Sequence, residues 1–190
     1  MNSPWRPTPE QIAAAQDGTI PDVIGPGLQI LFSGINPSLY SAAVGHHFAR
    51  PGNRFWPTLH SAGFTHRRFD PFEDQGLIDL GLGITNVVAR ATGAADELSA
   101  EELTEGGRLL DRKIQHYRPK ILALLGITAY RSAYHRPQAR MGLQAELISG
   151  SRLWVLPNPS GRNGHFSVEP FLELRRALSG GDLAPEEYPR

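Results

Sequence analysis

Ile121-Leu122-Ala123-Leu124-Leu125-Gly126 is an unbroken apolar run between Lys120 and a glycine. A run this short suits a strand, and with no polar position in it both faces have to be covered. That demands helices on two sides of a sheet and disfavours a sheet with one wet face. Gln29 to Phe32 and Leu153 to Leu156 have the same character, and Gly83 to Val87 and Leu147 to Ser149 supply further short strand segments. Helical spacing fills the intervals. Ser99-Ala100-Glu101-Glu102 is a capping box that opens a helix with Leu103, Leu110, Ile114 and Tyr117 on one face, stopped by Pro119. Asn53 caps a helix from Arg54 to Ala62, with Pro57 tolerated in its first turn. Thr128 caps another to Tyr134, Ser167 caps the last, with Phe171, Leu174 and Leu178 on one side, and Asp70 to Gly76 forms a short one. The alternation predicts an α/β fold: a three-layer α/β/α domain around a mainly parallel sheet of four to five strands. The expected organisation is a partly ordered, proline-rich arm over 1–23, one domain over 24–180 and a frayed tail over 181–190.

Two strands end alike. Gly34-Ile35-Asn36-Pro37-Ser38 follows the first, and Leu156-Pro157-Asn158-Pro159-Ser160-Gly161 follows the last. Proline pushes the residue before it out of the helical region, so each Asn is held on a stiff turn. Either turn alone is an ordinary loop closure. In a parallel sheet, however, both lie on the carboxyl edge, where open α/β sheets bind ligands. They offer amide side chains and backbone N–H groups at fixed positions, suited to a flat polar ligand and an ordered water. The segment between Leu39 and Gly52, with His46-His47-Phe48, reads as a loop that lines a site rather than a spacer, its histidines either solvated or against a DNA backbone, the former being the commoner case. Trp56 and Trp154 read as core.

Composition excludes several chemistries. The chain has no cysteine, which rules out disulfides, a thiolate nucleophile and Cys-ligated zinc or iron–sulfur clusters. The histidines lack metal-ligand spacing, so no metal or other cofactor is expected. No phosphate loop, dinucleotide fingerprint or serine nucleophile elbow occurs. No apolar run reaches the ~20 residues of a membrane helix, and no secretory signal is visible; a cytoplasmic protein without membrane contact is expected. Lys+Arg and Asp+Glu are both 19, so a basic nucleic-acid surface is not evident overall, although the stretch from Arg152 to Arg176 leans basic.

Taken together, Gly34-Ile35-Asn36-Pro37, Asn53-Arg54-Phe55-Trp56 and Leu156-Pro157-Asn158-Pro159-Ser160-Gly161 resemble the mismatch-specific uracil/thymine-DNA glycosylases of the uracil-DNA glycosylase superfamily. The likeness spans roughly residues 24–178, with the motifs in the family's order. It implies that fold and a monomeric repair enzyme of double-stranded DNA. Such an enzyme flips uracil, or thymine or etheno-cytosine, from a mismatch with guanine and hydrolyses its N-glycosidic bond. By resemblance Asn36 is the catalytic residue that positions the attacking water. Ile35 and Phe48 form the base pocket, and Asn158 lies near the flipped nucleotide. Ser160, Gly161, Arg162 and Asn163 contact DNA, the last three filling the gap in the duplex. The absent cysteines agree, since the iron–sulfur branches of the superfamily need four.

The chain departs from the pattern at Ser38, where many members carry Gly, and at Arg162, where Leu is common. A guanidinium can stack in the gap and contact phosphate as well. An amide is no general base, so Asp79, ahead of the strand that carries Thr85-Asn86, is the candidate carboxylate; the alternative is a surface or capping Asp. Asn86 either faces the base or ends a strand. Two other functions fit the same residues: a non-catalytic binder of mismatched or abasic DNA, and a small-molecule nucleoside hydrolase.

Overall fold

The computed structural model describes residues 5–180; the expected tail over 181–190 lies outside the described residues. Six helices and five strands follow in order: α1 (Pro9–Ala14), β1 (Ile30–Gly34), α2 (Leu39–Val44), α3 (Phe55–Ser61), β2 (Leu82–Asn86), α4 (Ala100–Tyr117), β3 (Ile121–Leu125), α5 (Ile127–Ala133), β4 (Gly142–Ile148), β5 (Ser151–Leu156) and α6 (Glu169–Gly180). Short 3-10 helices occupy Pro71–Leu80 and Ala95–Glu97. The sheet order is β2-β1-β3-β5-β4, parallel throughout except for β4, which runs antiparallel to β5. This is the expected three-layer α/β/α arrangement.

Alternation along the central strands divides the core in two. Ile30, Phe32, Ile121, Ala123, Leu125, Trp154 and Leu156 face α3 and α6, meeting Phe55, Trp56, Leu59, Phe171 and Leu174. Leu31, Leu122, Leu124, Leu153 and Val155 face the other way, onto Leu110 and Ile114 of α4 and Tyr130 and Ala133 of α5. A period of two with both phases apolar is what a sheet covered on both faces requires. Gly106 lets α4 approach the exit of β2, since a Cβ there would run into the carbonyl of Val87.

Several local readings are corrected. Leu39 to Val44, read as loop, is helix α2: the Ser38 Oγ accepts from the Ser41 N–H at 3.2 Å, and Gly45, at φ 75°, ends it in the left-handed region. Ser38 is therefore a cap that a Gly could not supply. Thr128 is inside α5 rather than its cap. The chain turns from β3 into α5 at Gly126, at φ 124°, whose N–H donates to the Leu156 carbonyl at 2.8 Å. β4 starts at Gly142, well before Leu147, because an edge strand half open to solvent lacks a continuous apolar signal. The turn over 71–80 runs past Gly76 to Leu80, opened by an Asp70–Glu73 capping box. Within the proline-rich segment, α1 has its own Thr8–Gln11 capping box, and Val23 exchanges hydrogen bonds of 2.9 and 2.7 Å with Ile84, covering the outer edge of β2. Among the described residues no helix is long and apolar enough to cross a membrane.

Candidate active site

The parallel register sets Gly34 beside Asn86 and Leu125 beside Leu156, so the exits of β1, β2, β3 and β5 share one edge. A cavity of about 580 Å³ opens there. Ile35, Asn36, Phe48, Asn86, Asn158, Ser160, Arg162 and Asn163 all line it. The two Asn-Pro turns, far apart in sequence, meet across one space.

Asn36 is held by its amino end. Its Nδ2 donates to the Arg90 carbonyl at 2.9 Å and to the Thr92 Oγ1 at 2.7 Å. The Thr92 hydroxyl gives its own proton to the Ala94 carbonyl, so both neighbours of Asn36 are acceptors and the amide cannot be reversed. Its donors are spent; what remains is Oδ1, a fixed acceptor on the cavity wall. Asn158 is turned the other way. Its Oδ1 accepts from the Ser160 N–H at 3.0 Å, an Asx turn, which leaves the NH2 end as the group with protons to give. One wall thus offers an acceptor and the other a donor.

Phe48 sits at φ 54°, a left-handed conformation that costs a residue with a Cβ about 1–2 kcal/mol. Its ring is stacked on Phe55 at 4.1 Å and 27°, and it lies over Gly34. A Cβ on Gly34 would collide with the Asn86 Oδ1 and press on the Phe48 ring at 3.3 Å. Gly34 is therefore required by close approach rather than by its backbone angles. Gly34→Ala is expected to destabilise the fold by about 1–3 kcal/mol while displacing the two side chains that line the cavity floor. Thermal melting checks the first effect, and a melting temperature equal to that of the parent would show that the floor can yield.

The last turn is clamped from α3. Arg54 Nη2 donates to the carbonyls of Ser160 and Asn163, both at 2.6 Å, and the Arg54 N–H donates to the Pro159 carbonyl. The guanidinium lies 4.3 Å from the Phe166 ring centre. Asn163 donates through Nδ2 to the Asn158 carbonyl at 2.9 Å, tying the two ends of the turn. Gly161 packs on the Gly52 carbonyl with no room for a Cβ. Arg162 is carried at the tip, exposed, and lines the same cavity as Arg50 of the loop before α3.

Asp79 is corrected. It is an exposed residue near the end of the 3-10 helix that precedes β2, whereas the cavity lies past Asn86 at that strand's far end. A five-residue strand, about 16 Å, separates them, so Asp79 does not line the site. The carboxylate that does is Asp96, exposed on the 3-10 helix at the mouth. Asn86 is the last residue of β2 and also lines the cavity. His47 is not solvated: it is 2% exposed, with Nε2 at 3.0 Å from the Pro21 carbonyl and Nδ1 at 3.4 Å from the Asn86 Nδ2. His46 pairs with the buried Asp74 at 3.1 Å. Arg54, Thr92 and His47 act through contacts between distant segments. In the sequence Arg54 stands out inside the Asn53-Arg54-Phe55-Trp56 run and His47 inside the His46-His47-Phe48 loop, whereas Thr92 carries no signal. Among the described residues no cluster of His, Asp or Glu could hold a metal ion.

The model of the uracil DNA glycosylase superfamily matches residues 21–179 of this chain. A solution NMR structure of a candidate uracil DNA glycosylase from Methanosarcina acetivorans is similar at a TM-score of 0.56 and 20% sequence identity, covering 86% of this chain and 98% of that one. At that identity the likeness speaks for the fold.

Proposed function

This chain belongs to the uracil DNA glycosylase superfamily, and we propose that within it the protein is a monofunctional, mismatch-directed DNA glycosylase. Its substrate is uracil opposite guanine in double-stranded DNA, with thymine or etheno-cytosine as further candidates, and it acts as a monomer. The observation that carries this reading is the Asn36 amide, whose two donors are spent on Arg90 and Thr92 so that Oδ1 stands as a fixed acceptor.

In this mechanism the target nucleotide leaves the stack and enters the cavity. The Phe48 ring and the Ile35 backbone hold the base, the Asn86 amide reads its edge, and Asn158 donates from the opposite wall. Asn36 Oδ1 accepts a hydrogen bond from a water and aims its oxygen at C1′. The C1′–N1 bond breaks, its electron pair leaves with the pyrimidine, the water oxygen bonds to C1′, and the water's proton passes to solvent. Donors placed around the departing base stabilise its developing negative charge better than bulk water does. An amide cannot take the proton, so the chemistry is slow and rests on position. Arg162, at the tip of the clamped turn, occupies the gap in the duplex, with Ser160, Gly161 and Asn163 against the backbone.

A strand-nicking assay tests the reading on a panel of mismatches, with single-stranded uracil DNA and free deoxyuridine alongside. Alkali-labile sites are expected at G·U and not in the fully paired control. Retardation of mismatched duplex without any alkali-labile site would mean a binder. Cleavage of free deoxyuridine with no salt-sensitive duplex binding would mean a nucleoside hydrolase.

A further inference from the structure

We propose that His47 sets which way round the Asn86 amide faces the cavity, and so determines which base edge the site accepts. The inference rests on the reading of Asn86 as a base contact. A backbone carbonyl can only accept, so the 3.0 Å contact with Pro21 places the His47 proton on Nε2. Nδ1 then has only a lone pair to offer, and the Asn86 group 3.4 Å away is its Nδ2, the donor. One amide proton is used on His47. Oδ1 is thereby turned over Gly34, where the absence of a side chain leaves it room.

What Asn86 presents is an acceptor together with its second N–H. That pair matches the N3–H and O4 of uracil or thymine. The reversed amide would match the N3 and N4 amino group of cytosine. The choice between the two is made by a proton on an imidazole that is 2% exposed, at the cavity wall beside Asn86. His47 is a positioning residue, held by a chain from the Pro21 carbonyl through the imidazole to the amide.

The arrangement also makes base recognition sensitive to protonation. A second proton on His47 would turn Nδ1 into a donor facing the Asn86 donor, and the amide would have to reverse. The charged and titratable groups around the ring are Asp74 from the 3-10 helix over 71–80, Asp22 from the segment before β1, and His46 on the same loop. Burial outweighs the two carboxylates and holds His47 below the ordinary histidine value, so the imidazole stays neutral at neutral pH.

Two variants separate the roles of the two ring nitrogens. His47→Gln keeps a donor for the Pro21 carbonyl but removes the acceptor at the Nδ1 position. His47→Asn keeps an acceptor near Nδ1 and gives up the Pro21 contact. His47→Gln is expected to lower kcat/KM for uracil opposite guanine by about tenfold, the worth of one well-placed hydrogen bond, without lowering release of cytosine. His47→Asn is expected to restore most of that loss and to abolish the decline in uracil release that the parent shows as pH falls below the ordinary histidine range. Equal losses in both variants, or a His47→Asn profile that declines with falling pH as the parent's does, would overturn the proposal. Long-range 1H–15N NMR of the imidazole in the free, unmodified protein gives a readout independent of activity. The Nε2–H tautomer is expected, and the Nδ1–H tautomer would refute the arrangement. If no duplex yields free uracil, the glycosylase reading fails, and the tautomer still decides the His47–Asn86 contact.

Discussion

Asn36→Ala is expected to reduce single-turnover release of uracil from a G·U duplex by about a hundredfold to ten-thousandfold, the range of a lost positioned catalytic group, with the fold retained. The loss follows from geometry. Asn36 Oδ1 is the one atom of its side chain left uncommitted, because Nδ2 is shared between the Arg90 carbonyl and Thr92 Oγ1 at 2.9 and 2.7 Å. Alanine removes the acceptor and leaves no other group of that turn to orient a water. The structural cost is small by comparison. The Arg90 carbonyl and Thr92 hydroxyl lose a donor in a part-buried place where water can replace it, about 1 kcal/mol. Thr92 keeps its own bond to Ala94. Asn36→Asp refines the test. A second oxygen placed against the Arg90 carbonyl is repelled, so the carboxylate cannot hold the parent orientation, and activity is expected well below the parent despite the near-identical shape. Uracil release by Asn36→Ala at the parent rate would remove Asn36 from the mechanism. Release lost together with the cooperative thermal transition would show instead that the residue is structural.

The parts of the molecule written in local pattern were legible in the sequence. Ile121–Leu125 and Leu153–Leu156 had to be buried strands because no position in them could face water. Their odd and even residues do divide between two helical layers. The Asn-Pro turns were legible because proline limits its predecessor, and the parallel sheet then placed both at one edge. What stayed hidden depends on contacts between distant segments. Asn36 is 56 residues from Thr92, and no periodicity connects them. The helix after Ser38 was missed because small, polar residues carry little apolar signal, and only the cap and Gly45 delimit it. Asp79 attracted attention by its nearness to Asn86 in sequence, but a strand crosses the domain between them. His47 read as solvated because His46-His47-Phe48 is bounded by glycines. The Pro21 carbonyl that buries it belongs to a segment that read as an arm.

Arg54→Met is expected to lower stability by about 2–4 kcal/mol, because two charge-assisted hydrogen bonds of about 1.5–3 kcal/mol each are lost and only partly replaced by water. For a chain of this size that corresponds to a drop in melting temperature of about 5–15 °C. Methionine keeps an apolar stem of similar length but gives up the guanidinium over the Phe166 ring, so the loss combines the donors with that stacking contact. The two carbonyls that lose the guanidinium belong to Ser160 and Asn163, the residues that bracket Arg162; each keeps one backbone donor, from Asn163 and Phe166 respectively. The turn is held otherwise by the Asn158–Ser160 and Asn158–Asn163 bonds, by the Arg162 N–H on the Ser160 Oγ, by short-range backbone bonds and by the Arg54 backbone N–H. Of these the last alone ties it to another part of the chain. A loosened turn presents Arg162 in many orientations, so duplex binding is expected to weaken about tenfold or more beyond the loss of stability. Arg54→Lys recovers only part of this: both bonds leave the one Nη2, whose two N–H groups are fixed in the guanidinium plane, and a rotating ammonium on a flexible stem is not held in that position. Arg162→Ala provides the contrast: at an exposed tip it is expected to leave the melting temperature within about 1 °C, surface changes costing little, while weakening binding to mismatched duplex. Thermal melting and titration with a G·U duplex, on all three variants, decide the matter. If Arg54→Met melts with the parent, the turn holds itself and the clamp is dispensable. If Arg54→Met and Arg162→Ala weaken binding alike but only the former loses stability, α3 supports the turn and Arg162 makes the contact.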